Sequence, residues 1–276
     1  YHFRDTTNIK NNFPSVWMPH FAINYLPVDP LSIRVTVSKG YSMPTTAEVR
    51  PSDNKVHKDL MAEQGWNTEL GMRLKLNDGR IRLDASGFHY LLNDGIISQV
   101  DENGNTYFIN SGKIRQLGIE CNGSWIILPH NENRSFFKRV QLNSSYTYSH
   151  FKYDKYQNNG NDYSGNRVAG IPRNVVISSL DVAFPYSLKF FVQHNYASRI
   201  PLNDANDEYS SSYNLLSARL SYHPVGKSYI PKQIYIFADN ILNEKYSLGN
   251  DINAFGNRYY NAAPTFNIQV GMSWEL

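Results

Sequence analysis

Cysteine is almost missing from this sequence: Cys121 stands alone among 276 residues. One thiol excludes a disulfide framework and a multi-cysteine zinc site. No apolar run approaches the ~18 residues that a spanning helix needs, so helical membrane proteins are excluded as well. Charge of one sign is scarce: 27 Lys and Arg against 24 Asp and Glu leave a net +3, too mild to imply nucleic acid as a partner. The eight histidines are scattered without an H-x-x-x-H pair, which leaves no zinc motif. No G-x-S-x-G elbow is present. An initiator Met, a basic n-region and an apolar h-region are lacking at Tyr1, so the expectation is a part of a longer polypeptide without its signal peptide.

What the sequence does have is alternation. In the closing "TFNIQVGMSWEL", Phe266, Ile268, Val270, Met272, Trp274 and Leu276 take every second place, with Thr265, Asn267, Gln269, Gly271, Ser273 and Glu275 between them. This is the period of a strand with one apolar and one polar face. "VWMPHFAINYL", "LSIRVTVSKGY", "WNTELGMRLKL", "RIRLDASG" and "RQLGIECNGSW" repeat it, as do residues 136–152, 173–184, 187–199, 211–223 and 232–242. The total is about eleven strands, mostly ~10–14 residues long against a usual mode of ~5–6. A tilted membrane strand needs ~9–11. A mean hydropathy of −0.50 does not oppose a membrane barrel, because polar lumen residues cancel lipid-facing ones in any average. Twenty Tyr and four Trp suit such a barrel, and suit a secreted carbohydrate-binding sandwich equally.

The links alternate too. Short ones at 28–30, 77–79, 131–133, 185–187 and 224–231 separate long polar ones at 43–64, 93–110, 153–172, 200–210 and 243–263. Short periplasmic turns and long extracellular loops are the outer-membrane pattern. Eleven is odd where bacterial barrels are even, so the expected fold is an all-β antiparallel barrel segment, the C-terminal half of a 22-stranded barrel. "DENGNTYFINSG" begins like a calcium loop, but Thr106 and Gly112 stand where Gly and Glu are needed. "NNGNDYSGN" lacks the G-K-[ST] of a phosphate loop. Gly40, Gly71, Gly79 and Gly118 read as turn, bulge or close-approach positions, and Asn240 and Asn243 as partners of loop backbone.

Four stretches carry a family resemblance. "SKGYSMPTTAE" (38–48), "EQGWNTELGMRLKLNDGRIRL" (63–83), "YFINSGKIRQLGIE" (107–120) and "FADNILNEKYSLGNDINAFGNRYYNAAPTFNIQVGMSW" (237–274) resemble, in order, segments of TonB-dependent outer-membrane receptors. The chain departs from the family pattern at Leu276, Ile241 and "AAPT". The resemblance implies that 1–276 is the C-terminal portion of such a receptor's barrel, with the plug and its TonB-coupling segment outside the chain. It implies import of a ferric siderophore or similar metal chelate, with TonB, outer-membrane lipid and lipopolysaccharide as partners, no catalysis and no cofactor. Arg73, Lys75, Arg80, Arg82, Glu120, Gln193 and Arg219 would then line the lumen. In the long loops, Arg50, Arg167, Arg199, Arg258, Tyr259 and Tyr260 are the ligand-binding candidates, as cations and aromatics facing an anionic chelate. Tyr153, Tyr156 and Tyr163 are expected as further aromatic walls.

Two other classes stay open at this point. A soluble or surface-attached β-sandwich would bury Trp274, Met272 and Ile268 in a dry centre. An outer-membrane barrel enzyme would gather Ser, His and Asp near one rim.

Overall fold

Seventeen strands follow one another in the computed structural model, which describes residues 14–53, 55–134, 136–224 and 231–274. They are β1 (His20–Val28), β2 (Leu31–Ser42), β3 (Glu63–Leu76), β4 (Ile81–Asn93), β5 (Ile96–Val100), β6 (Thr106–Asn110), β7 (Lys113–Leu128), β8 (Arg139–Lys155) and β9 (Gln157–Asn158). Then come β10 (Asn161–Asp162), β11 (Asn174–Ala183), β12 (Leu188–Ala197), β13 (Tyr213–Tyr222), β14 (Gln233–Asp239), β15 (Ser247–Asn250), β16 (Tyr260–Ala262) and β17 (Asn267–Ser273). Eleven of them form one antiparallel meander in the order β1-β2-β3-β4-β7-β8-β11-β12-β13-β14-β17. The other six make three small hairpins, β5–β6, β9–β10 and β15–β16, all inside long links. Each of the eleven expected segments therefore becomes a strand of a single sheet.

Register turns the alternation of the sequence into rows. Ile23, Val35, Leu70, Gly87, Ile119 and Tyr148 stand opposite one another across six strands. One residue along, Asn24, Arg34, Gly71, Ser86, Glu120 and Thr147 make the neighbouring row. Facing residues on antiparallel strands share a side of the sheet, so the first row is apolar and the second polar. The polar side holds the ion pairs Arg34–Glu69 (2.9 Å) and Arg73–Asp84 (2.6 Å). Arg73, Lys75 and Arg82 border one recess on that side, Glu120 a second, and Arg219 a third.

The apolar side is bare. Ile268 and Val270 are 60% and 69% exposed, and Met272 and Trp274 are exposed with them. Among the described residues no second sheet covers this face. That overturns the sandwich, whose dry centre needed those three side chains packed in protein. Leu276 and Glu275, the end of the quoted stretch, lie outside the described residues.

The turns explain where strands stop. Asn77, Asp78 and Gly79 all take positive φ between β3 and β4, a conformation that Asn and Asp tolerate and Gly adopts freely. Gly79 N–H donates to the carbonyl of Leu76 at 3.1 Å. The 131–133 link proves longer, because β8 begins at Arg139 and not near 136. Phe136, Phe137 and Phe184 pack on one another there, with centroids 4.6–5.7 Å apart, which draws the chain out of strand geometry. β14 ends early for a different reason. Asn240 has φ +46 and its side chain bonds Glu244 N–H and C=O, each at 2.8 Å.

Glycines on the strands mark close approach, as expected, but with unequal consequences. A Cβ on Gly65 would lie 2.5 Å from the Leu91 carbonyl oxygen, whereas on Gly71 it would meet the far end of Arg34 at 2.8 Å. The first obstacle is backbone and the second a flexible side chain. We expect Gly65→Ala to destabilise the folded barrel by about 1–3 kcal/mol and Gly71→Ala by under about 1 kcal/mol, measured by urea titration in lipid vesicles. Equal effects would contradict the register described.

Candidate functional site

Buried side chains collect at the loop end of the sheet. Tyr153, Tyr156, Leu202, Asn240, Pro44, Pro201 and Ser111 are the largest ones fully withdrawn from solvent, and all lie in or beside long links. The centre of this region is Asp204, 4% exposed. Its Oδ1 accepts from Tyr153 Oη at 2.8 Å. Its Oδ2 accepts from Gln99 Nε2 at 2.8 Å, Tyr156 Oη at 3.0 Å and Asn253 Nδ2 at 3.1 Å. Asp204 N–H in turn donates to Asn253 Oδ1 at 3.0 Å, and its carbonyl accepts from Asn166 Nδ2 at 2.8 Å.

Four long links thus meet on one carboxylate. Gln99 comes from the β5–β6 hairpin, Tyr156 and Asn166 from the link after β8, Asp204 from the link after β12, and Asn253 from the link after β14. No cation neutralises the carboxylate among the described residues. It is held by four neutral donors, one on Oδ1 and three on Oδ2, which offset its removal from water. Burial, and next the nearby Asp204 charge, push the Tyr156 hydroxyl far above the usual phenol range. It therefore remains a donor at neutral pH.

The link after β2 joins the same unit. Thr45 and Glu48 form a capping box on the short helix α1 (Thr46–Val49): Glu48 N–H donates to Thr45 Oγ1 and Thr45 N–H to Glu48 Oε2, at 3.3 and 2.6 Å. The sequence shows this signal in "TTAE", Thr followed three places later by Glu. Farther along, Asn110 on β6 bonds both the N–H and the C=O of Met61, at 2.8 and 3.1 Å. Asp101, the would-be calcium ligand, accepts from the backbone of Asn103 and Asn105 and shapes the β5–β6 tip. No group of three or more His, Cys, Asp or Glu fit for a metal occurs among the described residues.

The loop candidates fall into separate places. Tyr153 and Tyr156 are interior and make no wall toward solvent, and Tyr163 packs on Tyr156 with tilted rings, centroids 5.3 Å apart. Tyr259 is buried and bonds Asn257 at 3.2 Å, while Tyr260 beside it is open to solvent. Arg258 closes the 3-10 turn Phe255–Asn257. Tyr260 borders a cleft of about 560 Å³ with Ser210, Tyr213, Lys245, Tyr246 and Asn250. Arg199 lies over the Tyr209 ring at 4.7 Å, and Arg167 approaches the same region from the link after β8. Arg50 caps α1, apart from the others. Lys245 and Tyr246 were not singled out in the sequence, although the "EKY" run next to Asn243 puts them at a strand end.

Solved structures with this fold are many. The siderophore receptor PiuA from Acinetobacter baumannii superposes with a TM-score of 0.68 at 16% identity, over 92% of this chain and 35% of its own. The ferric yersiniabactin uptake receptor FyuA from Yersinia pestis gives 0.63 at 19% identity, over 91% and 35%. The copper transporter OprC gives 0.69 at 14% identity, over 91% and 38%. The chain thus spans little more than a third of the length of these proteins. A family model, TonB dependent receptor-like β-barrel, matches residues 1–241. With an eleven-stranded meander, an apolar outer face, a polar inner face and all long links tied together at one end, this chain belongs to the TonB-dependent receptor β-barrel family, whose members are outer-membrane transport receptors.

Proposed function

We propose that this chain is the C-terminal part of the barrel wall of an outer-membrane receptor that imports a ferric siderophore or a similar metal chelate. The observation that carries the reading is the two-sidedness of the eleven-stranded sheet: rows that are mainly apolar outside, and polar rows with ion pairs inside. Such a sheet is stable in a bilayer only when its edge strands, β1 and β17, find partners, so the remaining wall is supplied by further strands. Arg73, Lys75, Arg82, Glu120 and Arg219 then face the plug, through which TonB acts. Long links face outward and the short ones the periplasm.

On this reading the cleft beside Tyr260, with Arg258 near it, belongs to the ligand surface, and Arg167 and Arg199, beside Tyr209, are second-rank contacts. Cells carrying the full-length receptor should take up one labelled ferric chelate from a panel of hydroxamate, catecholate and carboxylate types. Arg258→Ala and Tyr260→Ala should each weaken its binding at least about fivefold, the effect of losing one strong anchor. If no chelate in the panel depends on the receptor for uptake, the substrate assignment is wrong.

A further inference from the structure

Three Asn-Gly steps occur in the chain: Asn103–Gly104, Asn122–Gly123 and Asn159–Gly160. In such a step the glycine nitrogen can attack the asparagine side-chain carbonyl, because the following residue carries no side chain to block the approach. The attack makes two demands on the fold. The glycine N–H must be free of a hydrogen bond, and the main chain must have room to bend into a cyclic imide. Gly123 fails both. It lies inside the wall on β7, opposite Leu83 on β4 and Ser144 on β8, so the strand must leave the sheet before its nitrogen can move. Asn103 and Gly104 sit at the β5–β6 tip and are tied down. Gly104 N–H donates to the Asp101 carbonyl at 3.0 Å. The Asp101 carboxylate accepts from the N–H groups of Asn103 and Asn105 at 2.9 and 2.8 Å, and its charge opposes the loss of a proton from the nitrogen beside it.

Asn159 and Gly160 meet both demands. They are the two central residues of the β9–β10 hairpin, with φ +49 and +80, the mirror-image turn that Asn-Gly favours. Both are exposed, and nothing lies within 4 Å of where a Gly160 Cβ would stand. Among the described residues, Gly160 N–H donates to no acceptor. The nearest carboxylate along the chain, Asp162, is engaged with Ser164 N–H at 2.9 Å.

We infer that Asn159 is a site of spontaneous deamidation, a covalent modification whose only co-reactant is water. The Gly160 nitrogen gives its proton to solvent base and bonds to Asn159 Cγ. The bond from Cγ to the side-chain nitrogen breaks, and that nitrogen takes a proton from water and leaves as ammonia. Water then opens the cyclic imide at either carbonyl, giving aspartate or isoaspartate. Either product places a new carboxylate at the hairpin tip, near Asp162. Isoaspartate also adds a carbon to the main chain of a two-residue turn, and the pairs Gln157–Asp162 and Asn158–Asn161 lose their register. The Asn158 Nδ2 bond to Gln99 Oε1 at 3.4 Å goes with them, so the link after β8 loosens with age beside the Asp204 group. None of this depends on what the receptor carries.

Full-length receptor aged at mildly alkaline pH, once folded in detergent and once unfolded in urea, provides the test, with conversion at each step followed by mass spectrometry of its peptides. In the folded protein Asn159 should convert at least about tenfold faster than Asn103, the factor that one ordinary hydrogen bond imposes on a rate. Asn122 should stay intact, and in urea the three rates should converge. Isoaspartate at 159 should be labelled by an isoaspartyl methyltransferase, and aged protein should lose hydrogen-exchange protection over 157–162 while β8 and β11 keep theirs. Asn159→Gly, which accepts the same positive φ, should age without that loss. Equal rates at Asn103 and Asn159 in the folded protein, or an intact Asn159, overturn the site. The same loss of protection in aged Asn159→Gly overturns its structural consequence.

Discussion

Asp204→Ala is expected to release the loops from one another while leaving the barrel wall intact. Tyr153, Tyr156, Gln99 and Asn253 all donate to this carboxylate, and its removal strands four donors in a dry interior. Each buried polar group left without a partner costs about 1–3 kcal/mol. Even with some loops opening to water, the assembly should lose several kcal/mol, enough to open it locally. Hydrogen exchange should show lost protection over 96–110, 156–173, 198–212 and 240–262, with the rows from Val35 to Ile119 unchanged. Asp204→Asn keeps the size but makes one oxygen a donor facing donors, so it should lie between. Equal protection in wild type and Asp204→Ala would remove the hub from the account.

The same cluster has a pH limit of definite sign. Tyr156 is held above its ordinary range, chiefly by burial and next by Asp204, so its neutral form is favoured in the folded loops. The stability this brings is complete below the unfolded phenol value of about 10 and is lost as pH rises beyond it. Loop protection should therefore fall in alkali and hold at neutral pH. Tyr156→Phe should reduce that alkaline limb, which Tyr153 on the same carboxylate still shares, at the cost of two bonds, one to Asp204 and one from Gln99.

A charge on the outer face should do more damage than any loop change. Leu70 and Ile119 occupy one row, both exposed, beside the apolar row Met72–Ala85–Cys121. In a bilayer midplane an Arg costs about 2–4 kcal/mol, so Leu70→Arg/Ile119→Arg should cost roughly twice that and abolish stable insertion. Thr147→Arg, on the polar side and opposite Glu120, should insert normally. Urea refolding of full-length receptor into vesicles, read by gel mobility, compares the two. Equal folding yields would mean that the apolar rows do not meet hydrocarbon.

How far the sequence discloses this molecule depends on distance along the chain. Strand pairing joins neighbours, and a period of two over ten residues is a local signal, so all eleven wall strands and their alternating links were legible. The roles of Asn240, Asn243 and Gly79 were legible for the same reason, since their partners lie within a few residues or across one turn. The hub was not. Asp204, Gln99, Asn166 and Asn253 are polar types common in solvated loops, and nothing near any of them marks it as interior. Tyr153 and Tyr156 look like binding-surface aromatics until their hydroxyls are seen to converge on one carboxylate from a link some fifty positions away.

Those long separations also order events during assembly. Asn253 reaches Ser98, 155 positions earlier, and Gln99 reaches Asp204 across 105. Closing such distances is slow and comes only after nearer contacts have narrowed the search. Asn253 lies between β14 and β17, so the Asp204 cluster cannot be completed until the final hairpin has joined the wall. The joining of these links is thus a late step that waits on Asn253 and is governed by a handful of amides and phenols.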